Sequence, residues 1–265
     1  MTPRPNRSRS ALVVVAIVAL FPSFARADPG LDAVPVDPLD SPAWVTMARG
    51  FLSEHPIRFD DRVRVRAPDA AEDPMGVPVH VSAEGIEDVI EVLVIADLNP
   101  IPKILSYRPI QAEPTLGFRF KVEQSTPIRA AVLTREGWHV GGRWLSASGG
   151  GCTAPSMTSQ GEQWTDQLGN LAARTWQRGK IARVKVKVMH PMDTGLAAGI
   201  PVFYLETLRF EDGRGRLLAE LSPFMPVSEN PVFTLDLESD GPVRITGRDN
   251  QANLVAGLLV NGGGK

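Results

Sequence analysis

Cysteine is almost missing from this chain: Cys152 is the only one in 265 residues, so no internal disulfide can form. Histidine is nearly as scarce, and three of the four (His55, His80, His139) are scattered. There is no Ser-His-Asp order, no paired-carboxylate motif and no glycine loop of the phosphate-cradling kind, which removes the common signatures of hydrolase and nucleotide chemistry. An excess of positive charge is absent too, with 28 Lys+Arg against 30 Asp+Glu, so nucleic acid is not an expected partner. Beyond the N-terminus no stretch approaches the ~20 apolar residues that a membrane-spanning helix requires.

The N-terminus does carry an apolar run. Arg4, Arg7 and Arg9 precede Ala11 to Phe24, and Ala25-Arg26-Ala27 supplies small residues where a signal peptidase cuts. The expectation is a secretory signal over residues 1–27, cleaved near Ala27, with a periplasmic mature protein that keeps no membrane segment. Removing it takes away four arginines and no acids, leaving 24 basic and 30 acidic residues, a net charge of −6. A lone cysteine in an oxidising compartment needs a reason. It is a functional thiol, a link to another chain in a disulfide-bonded dimer, or a buried and inert side chain.

Composition and patterning point to β structure. The chain holds 23 prolines and 24 glycines, more punctuation than long helices tolerate. One short helix is predicted, where Ser41-Pro42 precede Trp44, Met47, Ala48 and Phe51 at helical spacing. Period-two runs then begin at Val63 and Val65 and continue through Val77–Val81, Val89–Ile95, Ile104–Tyr107, Phe118–Val122, Ile128–Leu133 and Trp138–Leu145. A second series follows from Val184, Val186 and Val188 through Val202–Phe210, Leu217–Leu221, Val232–Leu237, Val243–Thr246 and Leu254–Val260. The expected architecture is mainly β, with two immunoglobulin-like sandwiches in tandem, a short N-terminal helix and a partly helical linker. The expected units are residues 28–152, a linker over 153–178 in which Trp164, Leu168, Leu171 and Thr175 share a helical face, and residues 179–262. The basic residues Arg183, Lys185 and Lys187 alternate with valines on the first strand of the second series; a solvated face is the plain reading, an anion-binding ladder the sharper one.

The sharpest chemical feature is Gly149-Gly150-Gly151-Cys152, since a glycine run leaves the following thiol on a chain of low conformational bias. Four extended residues span about 14 Å. With no base beside it, a solvated thiol titrates near its ordinary ~8.5, so the pattern reads as a handle for cargo and not as a catalyst. His139, next to Trp138 in a strand, is expected to be structural. Met189-His190-Pro191-Met192 gathers soft ligands that suit Cu(I), a weak alternative metal site through Met189, His190 and Met192. No pattern marks a cofactor, and none is expected on this chain.

Val63-Arg-Val-Arg-Ala-Pro68, Ala71-Glu-Asp, Val77-Pro-Val-His-Val81, Asn99-Pro100-Ile-Pro102 and Gly150-Gly151-Cys152 together resemble the SoxY sulfur carrier. Met189-His-Pro-Met-Asp-Thr-Gly-Leu196, Ile200-Pro201 and Val227-Ser-Glu-Asn-Pro231 resemble SoxZ, its partner. In this order the two are similar to fused SoxYZ-like carriers associated with quinoprotein (PQQ-dependent) dehydrogenases. The resemblance implies a non-enzymatic periplasmic carrier with a sulfur-containing cargo conjugated to Cys152. Its implied partners are periplasmic redox enzymes, either Sox-type haem proteins or a PQQ-dependent dehydrogenase system. In SoxY the arm is a free C-terminus, whereas here Cys152 runs on into Thr153-Ala154-Pro155 and a second domain.

Overall fold

The computed structural model describes Met1, residues 34–156 and residues 164–259. The expected signal segment, Met1 apart, and Gly262 to Gly264 lie outside the described residues. Helix α1 (Trp44–Phe51) forms as its apolar spacing predicts and buries Trp44, Met47 and Ala48. Its N-cap is Ala43 without a side-chain bond, because Ser41 and Pro42 belong to a preceding turn in which the Ser41 carbonyl accepts from the Trp44 N–H at 3.2 Å. Among the described residues no helix is long and apolar enough to cross a membrane.

The first half contributes β1 (Ile57–Phe59), β2 (Val63–Arg66), β3 (Val77–Ala83), β4 (Glu91–Ala96), β5 (Lys103–Pro109), β6 (Ala112–Phe120), β7 (Thr126–Thr134) and β8 (Gly137–Leu145). The second contributes β9 (Leu171–Arg178), β10 (Ile181–Val188), β11 (Leu205–Asp212), β12 (Leu217–Pro223), β13 (Val232–Glu238), β14 (Val243–Asp249) and β15 (Leu254–Leu259). Between them the helix α2 covers only Trp164–Gln167. The helical face expected to run on to Leu171 and Thr175 is instead strand β9, whose Leu171 and Ala173 pack toward the core. Alternation of Leu171, Ala173 and Thr175 with Ala172, Arg174 and Trp176 fits a strand, and pairing with all of β10 settles it.

The chain is mainly β, as expected, with two β-rich halves that are joined edge to edge. Their strands form two shared sheets, β1-β8-β7-β4-β5-β12-β11-β14-β15 and β2-β3-β6-β13-β10-β9. Each crosses the seam by an antiparallel pair: β5 with β12, placing Tyr107 opposite Leu221, and β6 with β13, placing Gly117 opposite Thr234. A strand ending either half alone would present a row of unpaired N–H and C=O groups, and edge-to-edge pairing satisfies them. Period-two patterning reports which face of a strand is buried and not which strand lies beside it, so the seam is silent in the sequence. Val79, Phe118 and Phe120 from one half and Val184, Val186, Phe210 and Phe233 from the other enter one continuous core. At roughly 1.5–3 kcal/mol for each large apolar side chain buried, that shared core ties the halves together.

Two polar networks set the frame of the site. Arg129, 1% exposed, donates from Nε to both Asp97 oxygens at 3.0 and 2.9 Å and from its terminal nitrogens to Asp37 at 2.9 and 2.7 Å. Its guanidinium lies 4.4 Å from the Trp44 ring centroid, so one buried cation anchors the N-terminal segment to the sheet. Closer to the arm, Asn99 Nδ2 donates to the Lys121 carbonyl at 2.9 Å and Asn99 Oδ1 accepts from the Glu123 N–H at 3.0 Å. Asn99 thereby fixes the turn from β6 to β7 that carries Lys121, Val122 and Glu123.

Candidate functional site: the thiol arm at the seam

The arm leaves β8 beside the 69–71 loop, where the Ser146 N–H donates to the Asp69 carbonyl at 2.9 Å and the Ala71 N–H to the Ser146 carbonyl at 2.8 Å. It then folds back onto the body. The Gly151 N–H donates to the Val122 carbonyl at 3.0 Å. The Glu123 carboxylate gathers the rest, accepting from the N–H groups of Gly150 at 3.3 Å, Cys152 at 3.0 Å and Thr153 at 3.2 Å, and from the Thr153 hydroxyl at 3.2 Å. From the other half, Thr194 Oγ1 donates to the Cys152 carbonyl at 2.6 Å and Asp193 Oδ1 accepts from the Ser156 N–H at 3.0 Å. Cys152 is therefore stitched to both halves.

The thiol is fully buried. Its Sγ lies 3.5 Å from the Lys121 carbonyl, in the position of a donor. Burial pushes its pKa up to about 12; the Glu123 charge adds to the rise and the Lys121 charge opposes it. The expectation of a solvated thiol titrating near ~8.5 on a sweeping arm is thus corrected for the docked conformation. In that conformation the thiol is equally closed to a disulfide with a second chain.

The glycines also take a different meaning. Gly149 and Gly150 sit at φ +100° and +92°, where L side chains are strained, and a Cβ on Gly151 would meet the Pro74 and Val122 carbonyl oxygens at 2.1 and 2.5 Å. The docked arm itself requires glycine at these positions. Close packing against those two carbonyls accounts for Gly151.

Beside the arm, Lys121 is buried and its ammonium donates to the Met192 carbonyl. Burial lowers its pKa, with Asp193, Cys152 and Glu229 opposing. No carboxylate lies within ion-pair distance of it among the described residues. Sequence reasoning missed Lys121, Glu123 and Thr194. Lys121 follows Phe118-Arg119-Phe120 as one more charge alternating with apolar residues, and nothing local marks Glu123 as the acceptor for a loop 29 residues on.

The Met189–Met192 segment turns its donors inward. His190 Nδ1 accepts from the Met192 N–H at 3.1 Å and Met192 Sδ accepts from the Leu205 N–H at 3.3 Å. His190 packs at 4.4 Å from the Phe203 ring, and its Nε2 stands 3.5 Å from Asp249. Burial depresses the His190 pKa to about 4, against the opposing pull of Asp249. These lone pairs shape the corner that presents Thr194, and no group of three or more His, Cys, Asp or Glu suited to a metal occurs among the described residues. His139 is buried and bonds Asp60 at 2.7 Å through Nδ1. Its other nitrogen faces Arg58, remote from Cys152 in this arrangement of partners.

A single thiol on a glycine arm is thus held between two β-rich halves. The family model described as "Sulfur oxidation protein SoxY" matches residues 48–152, and that described as "Sulphur oxidation protein SoxZ" matches residues 172–256. The chain belongs to the SoxYZ-type carriers, as a fusion of a SoxY-like and a SoxZ-like domain. These are non-catalytic proteins, typically periplasmic, that work with Sox-type redox partners.

Nothing among the curated proteins matches. Among solved structures the chain is similar to the sulfur carrier protein SoxY from Chlorobium limicola f thiosulfatophilum, at 17% identity and a TM-score of 0.36 over 40% of this chain and 96% of that one. It is also similar to a Parabacteroides merdae beta-glucuronidase, at 9% identity and 0.22 over 76% of this chain and 24% of that one. A biofilm-associated protein BSP domain gives 10% and 0.24 over 78% and 31%. TM-scores this low support no inference.

Proposed function

We propose that this chain is an exported carrier that holds a sulfur-containing intermediate covalently on Cys152 and presents it to periplasmic redox enzymes. The observation that carries the reading is the placement of the sole thiol at the end of a glycine arm, where the SoxY-like domain ends. Loading by oxidative coupling forms an S–S bond between Cys152 Sγ and the terminal sulfur of a sulfur oxyanion. The thiol proton leaves, and two electrons pass to a redox protein that acts as oxidant. The buried thiol is then the closed state of the carrier, and carriage requires the arm to leave the seam. Glu123, Thr194 and the Val122 carbonyl are the contacts that opening breaks.

Intact mass spectrometry of the protein from its native periplasm, without reductant, tests this against a reduced sample and Cys152→Ala. A sulfane or sulfonate mass that reductant and the substitution both remove is the expected result; an unmodified thiol in cells running the pathway refutes it. One observation favours a second reading, an accessory module of a PQQ-dependent dehydrogenase system in which Cys152 is only structural: the thiol is fully buried. In that case Cys152→Ala retains full function.

A further inference from the structure

The outer face of the six-stranded sheet carries a charge pattern that holding cargo does not explain. Strand registers place Arg66, His80, Gly117, Thr234, Lys185 and Arg174 in one row across all six strands. Toward the arm the next positions on this face include Arg119 and Lys187. Arg66, Arg119, Arg174, Lys185 and Lys187 are all exposed, and none makes an ion pair among the described residues. The acids of this face, Glu113, Asp236 and Glu238, lie on the half away from the arm, and Asp236 is already bound by Arg183 at 2.7 and 2.8 Å.

Such an arrangement works against the fold. Lys185 stands directly opposite Arg174, and like charges facing each other across two strands are destabilising. His80, in the same row, has its pKa lowered by burial first and then by Arg66 and Arg183, with Asp236 and Glu84 opposing. Protection of an edge against aggregation accounts for Arg174 on β9, an edge strand. It does not account for Arg119 on β6 or for Lys185 and Lys187 on β10, which are interior strands.

We propose that this basic half-face is a docking surface for a partner protein with an acidic patch, seated so that it overhangs the Cys152 arm. Arg119 is two residues before Lys121, whose carbonyl lies 3.5 Å from Sγ, so the cations end where the thiol begins. A bilayer or nucleic acid fits less well, because a uniform phosphate surface would also meet Glu113, Asp236 and Glu238, and the chain as a whole is net negative, −2. A protein surface can match the divided pattern. The proposal rests on the carrier reading for what the partner does there, and on charge alone for where it binds.

The test uses the full chain, immobilised poly-L-glutamate as the probe and phosphatidylglycerol vesicles as the rival surface. Arg119→Glu/Lys187→Glu is compared with Arg209→Glu/Arg244→Glu, an equal charge change on strands of the other sheet. At low salt the first pair should weaken binding to polyglutamate about tenfold and the second should not. In cells, the first pair should lower Cys152 cargo occupancy by intact mass while leaving iodoacetamide reactivity of the purified thiol unchanged. Equal losses from both pairs, tighter binding to vesicles than to polyglutamate, or unchanged occupancy overturns the proposal. If the wild-type protein carries no cargo, the carrier reading fails, and the polyglutamate comparison still decides the surface.

Discussion

Replacing Glu123 with Gln should open the thiol arm, and the size of the effect follows from the contacts. Glu123 Oε2 accepts from the Cys152 and Thr153 N–H groups, and Oε1 from the Gly150 N–H and the Thr153 hydroxyl. Glutamine keeps one acceptor and turns an NH2 toward the other donors. Hydrogen bonds to a charged group contribute about 1.5–3 kcal/mol against about 0.5–1.5 for neutral ones. For a carboxylate partly open to water, a loss of about 1–2 kcal/mol in docking is reasonable, a factor of about 5–30 in the docked-to-open ratio. Iodoacetamide reacts with the thiolate, which the docked arm buries, so alkylation near neutral pH should quicken by the same factor.

The pH profile supplies an independent check. The thiol's pKa is raised in the docked state, to about 12, above the ~8.5 of a free thiol. Its protonation therefore favours docking fully below ~8.5, and that contribution is lost as pH rises toward 12. Wild-type alkylation should keep climbing past pH ~8.5, where the urea-unfolded control levels off, and Glu123→Gln should level off earlier than wild type. A wild-type rate equal to that of the unfolded chain, or a Glu123→Gln rate equal to wild type, would refute the clamp.

Other substitutions probe the neighbouring elements. Gly151→Ala places a methyl against the Pro74 and Val122 carbonyls and should expose the thiol to alkylation with little change in thermal midpoint. Arg129→Ala strands the carboxylates of Asp37 and Asp97 and should cost about 3–5 kcal/mol in denaturant unfolding. Burial holds His190 neutral down to about pH 4, so its contribution to stability is complete above ~6.5 and is lost as pH falls toward 4. The wild-type melting temperature should accordingly fall more steeply over that interval than that of His190→Gln; parallel slopes would count against it.

What was legible in the sequence was whatever depends on local period and turn chemistry. Alternation at Val184, Val186 and Val188 and at Val77, Val79 and Val81 gave strands with the correct inner face, and the glycine run before Cys152 singled out the arm that is proposed as the site. What depends on distant pairing was not legible. Leu171–Arg178 has apolar residues that suit either period, and only β10 makes it a strand. Glu123 and Thr194 reach Cys152 from sequence separations of 29 and 42 residues, and no spacing rule links them. Composition likewise suggests freedom for three glycines in a row, whereas their backbone angles and neighbours show a conformation that only glycine can adopt.

The antiparallel seam has a consequence for how the molecule registers its own integrity. One residue, Cys152, is gripped from both sides, its N–H by Glu123 of the first half and its carbonyl by Thr194 of the second. Any slippage of β12 against β5 or of β13 against β6 would part those two grips before it disturbed the core of either half. The residue that bears the chain's sole sulfhydryl thus serves as a tamper seal, whole only while the arm is docked and the halves are in register.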